Sequence, residues 1–405
     1  MLIYNTLSRK KEEFAPLREG EVKIYTCGPT VYDFAHIGNF RAYVFQDVFK
    51  RYLKYRGFNV THVMNITDVD DKTIRNSKRG GVTLGELTKH YESAFFEDLE
   101  ALNIEKPDIT PRATEHIADM VHVIEGLIEK GFAYRGSDGS IYFDLSKFKQ
   151  YGTLAKIRPK GQKSARIKKD EYEKDEARDF ALWKAHTEED GEVFWDTTIG
   201  KGRPGWHIEC STMSTKYLGE TFDVHAGGVD LVFPHHENEI AQAEAATGTK
   251  FVNYWLHNEH LLVEGRKMSK SLGNYYTLRD LKGEGHDPRA IRFLLLSTHY
   301  RRKMNFTMKA LKGAENTVNK LTDFVERLSS ASSDADYNDH LSKITKETKI
   351  KFDGAMDNDI DIRHALSAIF NLVSETNKAI DRSEVSGKNL KEIQELMMEF
   401  DSVLG

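Results

Sequence analysis

The side chains best suited to chemistry fall in four places along this sequence. His235 and Glu239 stand four residues apart, so on a helix both leave one face and can reach a single ion. The same spacing also serves as an ordinary side-chain pair on an exposed helix. Cys27 and Cys210 are the two cysteines. A disulfide framework is not expected from so few, which leaves buried thiols, metal ligands or nucleophiles. His36 and Asn39 follow a turn containing Gly28 and Pro29 and open an apolar-periodic run, where a helix N-terminus favours phosphate. Lys267 and Lys270 lie in a short basic stretch after Gly265, suited to anions or to a solvated loop.

The elements that must position these groups can be read from the hydrophobic pattern. Residues 21–26 read as a short buried strand, 27–35 as a turn, and Gly38 onward as a helix with apolar positions at Phe40, Val44, Val48 and Tyr52, stopped at Gly57. A second strand is expected over 59–66, followed by the acidic stretch Thr67-Asp68-Val69-Asp70-Asp71-Lys72 at the ligand edge of a sheet. Helices are predicted over 83–102 and 112–130. A hairpin is predicted over 132–134 and 141–143 around Ser137-Asp138-Gly139. Residues 147–201 are charged, punctuated by glycine and without clear period. Strands at 222–225 and 251–256 then flank a helix from Pro234 to Ala246, ended by Gly248. Helices at 288–297 and 308–328 lead into a helical tail with a polar break near 329–337.

Strands alternating with helices from Glu21 to Leu256 predict an α/β fold with a doubly wound parallel Rossmann-type sheet, followed by an all-α helix bundle. The expected divisions are 1–130 for the first half of the sheet domain, 131–203 for an insertion, 204–257 for the second half, 258–307 for a connecting region, and 308–405 for the bundle. With 39% hydrophobic and 30% charged residues the composition is that of a globular protein. No apolar run approaches the roughly 20 residues that span a bilayer, and residues 1–10 lack a signal-peptide core. A cytoplasmic protein with no membrane partner is expected. The net charge of −5 argues against a surface that grips nucleic acid everywhere. Basic clusters stand at Lys156, Arg158, Lys160, Lys163, Arg166, Lys168 and Lys169, and at Arg301 to Lys303.

The segment Cys27-Gly28-Pro29-Thr30-Val31-Tyr32-Asp33 with His36-Ile37-Gly38-Asn39 resembles the first signature of class I aminoacyl-tRNA synthetases, in the form used by cysteinyl-tRNA synthetases. Lys267-Met268-Ser269-Lys270-Ser271 resembles the second signature residue for residue. The resemblance runs from about Leu2 to Met304 and continues more loosely through the tail. It implies activation of L-cysteine with ATP to cysteinyl-adenylate and transfer to the 3′ end of tRNA(Cys). In that family the positions of Cys27, Cys210, His235 and Glu239 hold one Zn²⁺, which selects the substrate thiolate. The resemblance further implies catalytic roles for His36, Asn39, Lys267 and Lys270, and ATP binding, with Mg²⁺ arriving on ATP, at His36, Gly38, Asn39 and Lys270. Thr67, Trp206, His225 and Asp230 would line the cysteine pocket, Asp230 facing the ammonium. From the residues alone, Trp206 reads equally as a core aromatic. The family also implies a tRNA-contacting region at 258–307, a tRNA-binding bundle, and a monomer.

The departure from the family lies at the end. The family pattern places a small anticodon-contacting domain after the bundle, and no segment before Gly405 matches it. A compact synthetase, a fragment, or a paralogue joining activated cysteine to a small amine, as the mycothiol-pathway ligase does, are the readings this leaves. A non-catalytic tRNA-binding paralogue would show damage in a signature or in the zinc set, and all of those residues are intact.

Overall fold

The computed structural model describes residues 1–157, 178–331 and 335–405, together with the backbone of 166–167. Four parallel strands form the central sheet. In spatial order they are Val252–Asn258, Phe222–Gly228, Glu21–Thr26 and Asn59–Met64. Chain order therefore steps outward from Glu21–Thr26 to one side, then returns to the other. The crevice between the carboxyl ends of Glu21–Thr26 and Phe222–Gly228 is the switch point, where such sheets bind ligands. Pairing of Val224 with Ile24, His225 with Tyr25 and Ala226 with Thr26 sets the register there.

Both faces of the sheet are buried. Ile24, Val224, Tyr254 and Leu256 join a core with the helix Ile37–Tyr55 and the C-terminal helices, while Tyr25, Val63 and Trp255 join a second core with the helices Trp206–Leu218 and Glu237–Thr247. The expected apolar positions of Ile37–Tyr55, from Phe40 to Leu53, are all buried. Its N-terminus is held by a reciprocal cap: Asn39 N–H donates to His36 Nδ1 and His36 N–H donates to Asn39 Oδ1, each at 3.1 Å. At Gly28 a Cβ would overlap the Asn65 carbonyl, so only glycine lets the loop after the first strand lie against the end of the second.

Residues 133–204 add a sheet in which Ala133–Arg135, Ile141–Phe143, Asp179–Ala185 and Gly202–Pro204 pair antiparallel, with Arg166–Ile167 alongside Asp179–Ala185. The sequence showed only the first hairpin of this sheet. The helix Asp71–Gly80 was also missed, because it is polar nearly all round and buries only Thr73, Ile74 and Ser77. Asp70 caps it through Lys72 N–H and Thr73 N–H. The expected helix from Pro234 instead begins with an irregular turn, Val232–His236, before Glu237–Thr247, and Gly248 ends it with φ +78°.

Among the described residues, four helices, Met308–Ser330, Asp339–Met356, Ile362–Asp381 and Gly387–Leu404, make up the C-terminal region. Most of the first basic cluster, and part of the polar break after Met308–Ser330, lie outside the described residues. Arg301 of the second cluster points inward, its Nε donating to Asp359 Oδ2 at 2.7 Å. Among the described residues no helix is long and apolar enough to cross a membrane.

Candidate active site

Cys27 directly follows the first strand of the sheet, Cys210 lies on the helix Trp206–Leu218, and His235 and Glu239 flank the start of Glu237–Thr247. The structure brings their four donor atoms within 4.8 Å of one another, all buried. The two sulfurs are 3.9 Å apart, Cys27 Sγ is 3.9 Å from Glu239 Oε1, and His235 Nε2 is 3.1 Å from that same oxygen. Tetrahedral zinc with bonds of about 2.3 Å to sulfur separates two thiolates by about 3.8 Å. The cysteines are thus spaced for a shared ion and too far apart for a disulfide.

Electrostatics point the same way. Burial, then the hydrogen bond to Cys210 and its charge, pushes the Cys27 thiol well up, and burial raises Cys210 as well. Burial also pushes Glu239 up to about 7. Three acids crowded in a dry site resist ionising together unless a cation neutralises them. His235 Nε2 is buried and makes no hydrogen bond despite its approach to Glu239. A soft divalent ion satisfies both conditions, and the thiolate, imidazole and carboxylate set suits zinc.

The groups behind the donors fix their orientation. His235 Nδ1 lies 2.9 Å from His207 Nδ1, and His225 Nε2 lies 2.8 Å from Glu239 Oε2. With His235 Nε2 offered to an ion, its proton sits on Nδ1 and is donated to His207, which locks the ring. A second grouping, Cys27, His225, His236 and Glu239, is as close together. There, however, His225 is engaged with Glu239, and His236 Nδ1 bonds His257 Nε2 at 2.7 Å. In the first set His235 Nε2 has no hydrogen-bond partner, whereas in the second His225 Nε2 is bonded to Glu239 and His236 Nε2 lies 3.4 Å from Cys27 Sγ. His207, His236 and His257 were not singled out in the sequence. Their signal was available only as histidine next to a candidate ligand or at a strand end.

Of the remaining expected pocket residues, Trp206 and His225 touch this cluster. Trp206 stacks on His235 with ring centroids 4.1 Å apart, and His225 stacks on Trp255 at 4.6 Å. Thr67 is buried at the end of the second strand and donates to Glu209 Oε2 at 2.8 Å. Asp230 is exposed just past Phe222–Gly228 and lies within electrostatic reach of His36.

His36, Gly38 and Asn39 form the N-terminal turn of Ile37–Tyr55. His36 Nδ1 already accepts a hydrogen bond from the Asn39 N–H, so the neutral ring carries its proton on Nε2, free for an anion. Burial lowers the pKa of His36, which favours that neutral form. The Asn39 carbonyl oxygen is committed to the cap, leaving its NH₂ group. The loop with Lys267 and Lys270 folds over this turn: Ile37 N–H donates to Tyr276 O at 3.0 Å, and the Met268 methyl lies 3.2 Å from where a Cβ on Gly38 would be. Lys270 reaches the mouth, while the Lys267 side chain is exposed and joins no ion pair among the described residues. A cavity of about 1250 Å³ opens beside Thr30 and Trp206, bordered by Lys72, Arg75, Lys184 and Arg203.

Comparison with known proteins agrees with this geometry. Residues 13–316 match the family described as tRNA synthetases class I (C) catalytic domain, and residues 351–405 match the DALR domain. The chain is 52% identical over 402 residues to a cysteine–tRNA ligase of Koribacter versatilis, covering 99% of this chain and 81% of that protein. It is 50% identical over 394 residues to one from Brachyspira hyodysenteriae, covering 96% and 83%. Among solved structures, a Mycobacterium tuberculosis methionyl-tRNA synthetase in complex with methionyl-adenylate superposes with a TM-score of 0.69 at 16% identity, over 95% of this chain and 89% of that one, which is a likeness of fold. With both signatures at the switch point and half of all residues shared with such relatives over nearly its whole length, the chain belongs to the cysteine–tRNA ligase family of class I aminoacyl-tRNA synthetases.

Proposed function

We propose that the protein activates L-cysteine with ATP and passes the cysteinyl group to the 3′ end of tRNA(Cys), with one Zn²⁺ held by Cys27, Cys210, His235 and Glu239. The observation that carries this reading is the meeting of that donor set with the His36 and Lys270 mouth at one switch point of the sheet. Bound there, zinc supplies a soft position that favours a thiolate over the hydroxyl of serine, a distinction an ordinary apolar pocket makes poorly.

The chain's own residues then position the reactants. Trp206, Thr67 and His225 line the pocket, and Asp230 takes the substrate ammonium. The cysteine carboxylate attacks the α-phosphorus of ATP, the bond from that phosphorus to the bridging oxygen breaks, and pyrophosphate leaves. In-line attack of this kind needs alignment and charge neutralisation more than a protein base. His36 Nε2–H, the Gly38 backbone, the Asn39 NH₂ group and Lys270 supply hydrogen bonds and charge to the phosphates, whose Mg²⁺ arrives with ATP, and Lys267 adds charge from the loop. A ribose hydroxyl of the terminal adenosine next attacks the acyl carbon, and AMP leaves.

The cavity edged by Lys72 and Arg75 offers room for the tRNA end, its basic side chains interleaved with Asp70, Asp71, Glu188, Glu189 and Asp190. Central strands on either side of the sheet within 133–204 support dividing the catalytic domain into 1–130 and 204–257 around an insertion at 131–203. Residues 258–307 carry the signature loop and contact the stem, and 308–405 form a tRNA-binding bundle. We place the protein in the cytoplasm as a monomer. Charging of a tRNA(Cys) transcript by the purified chain with ATP and cysteine tests the whole. Cysteine-dependent charging is expected. Cysteine-dependent ATP–pyrophosphate exchange with no charging would reject tRNA as the acceptor and turn the search to a small amine.

A further inference from the structure

The second signature loop is not free in this structure. It is tied to the mouth, and its lysine is held by a residue that neither the metal set nor the phosphate-binding set uses. Lys270 Nζ lies 2.5 Å from Asp33 Oδ2. The other oxygen, Asp33 Oδ1, accepts the Phe34 backbone N–H at 2.8 Å, so the carboxylate is fixed before the lysine arrives. The ammonium also lies 5.0 Å from the centroid of the Tyr275 ring, which meets the His36 ring in a T-shaped contact with centroids 5.4 Å apart. Behind the lysine the loop is braced by Asn274, which accepts the Ser269 N–H at 2.9 Å and donates to Lys267 O at 3.2 Å.

We propose that Asp33 is a positioning residue that holds Lys270 over the nucleotide mouth until the triphosphate of ATP displaces it. The inference rests on the reading above, that Lys270 meets the phosphates of ATP. A carboxylate and a triphosphate sharing one ammonium would bring like charges together, so binding of the phosphates and pairing with Asp33 compete. The pair is half open to water, with the Lys270 side chain 64% exposed. Exposed ion pairs are weak, so the competition amounts to about a two- to fivefold effect on ATP affinity. That is enough to keep the lysine in place between turnovers and too little to block the substrate.

Kinetics of cysteine-dependent ATP–pyrophosphate exchange test this in a four-member cycle: the parent protein, Asp33→Asn, Lys270→Ala and the double variant. Asp33→Asn is expected to lower KM for ATP by about two- to fivefold with kcat changed little. In the Lys270→Ala background the same substitution should leave KM for ATP unchanged, because the competing partner is gone. A rise in KM for ATP in Asp33→Asn would overturn the proposal by showing that Asp33 only organises the loop. An equal fall in both backgrounds would overturn it too, since general repulsion between Asp33 and ATP would then suffice. Bound zinc confirms that each variant is folded, and Asp33→Ala repeats the measurement without the Asn amide. If the parent protein itself lacks cysteine-dependent exchange, the functional reading fails rather than the role of Asp33.

Discussion

At the scale of single residues, the proposed function separates metal holding from phosphate handling. Cys210 is buried beside Cys27 and has no part in the mouth that His36 and Lys270 form. Replacing Cys210 by Ser removes a soft donor and leaves a hard, far less acidic hydroxyl. Zinc content measured by atomic emission should fall from about one per chain to near zero, and exchange driven by cysteine should fall far more than binding of ATP. Full retention of zinc in that variant would remove Cys210 from the ligand set. Lys270→Ala should do the opposite. Zinc stays, and the rate of exchange drops by about a hundredfold or more, the usual loss when one charge-stabilising donor is removed. An unchanged rate would dismiss the phosphate role of Lys270.

At the scale of elements, the helix Asp71–Gly80 is joined to the inserted sheet by a cluster of charges. Asp71 pairs with Lys184 at 3.0 Å and Arg203 at 2.5 Å, and Arg203 also pairs with Asp190 at 2.9 Å. Although burial opposes it, Lys184 and Arg203 hold the Asp71 carboxyl down to about 2 from 3.8. A carboxyl depressed in the folded state contributes its stability fully above its unfolded value and loses it as pH falls. The contribution of Asp71 is therefore present above about pH 4 and disappears toward pH 2. Urea unfolding across that window should show a steeper loss of stability for the parent than for Asp71→Asn. Parallel profiles would show that the cluster does not couple the two elements.

At the scale of the whole molecule, the C-terminal helices are bound into the catalytic half rather than merely following it. Asp47, on the helix behind the mouth, pairs with Arg292 at 2.6 Å, both fully buried, and Arg292 Nε donates to Leu404 O at 2.8 Å. Asp359 likewise gathers the Tyr4 N–H at 2.9 Å and the Tyr300 hydroxyl at 2.6 Å. Removing one member of a buried pair leaves the other charge dry and uncompensated. Asp47→Asn should then lower unfolding stability by about 3 kcal/mol, read from the urea midpoint. A loss under about 1 kcal/mol would mean that Arg51, also on Asp47 at 2.9 Å, does not depend on that charge and that Arg292 finds water. Arg301, expected from sequence to present positive charge, spends it on Asp359. Nucleic-acid affinity should be sought on the helix carrying Lys72 and Arg75 instead.

The sequence by itself determined the parts whose pattern is local. The strand Glu21–Thr26, the loop after it and the helix Ile37–Tyr55 follow from alternation, a Gly-Pro turn and a period of 3.6, all within reach of neighbouring residues. The signature stretches at Cys27 to Asn39 and Lys267 to Ser271 carry their chemistry in order along the chain, which is why they could be read there. The helix Asp71–Gly80 and the strand Asp179–Ala185 could not, since one is polar nearly all round and the other lies in a charged stretch without clear period. Only the tertiary structure decided that Cys27 and Cys210, 183 residues apart, stand 3.9 Å from each other, that His207 backs His235, His225 backs Glu239 and His236 meets Cys27, and that Asp33 faces Lys270. Those relations depend on strand order and on which helix crosses which edge. They are fixed by burial of both sheet faces at once, a property of the assembled core that no local window of the chain contains.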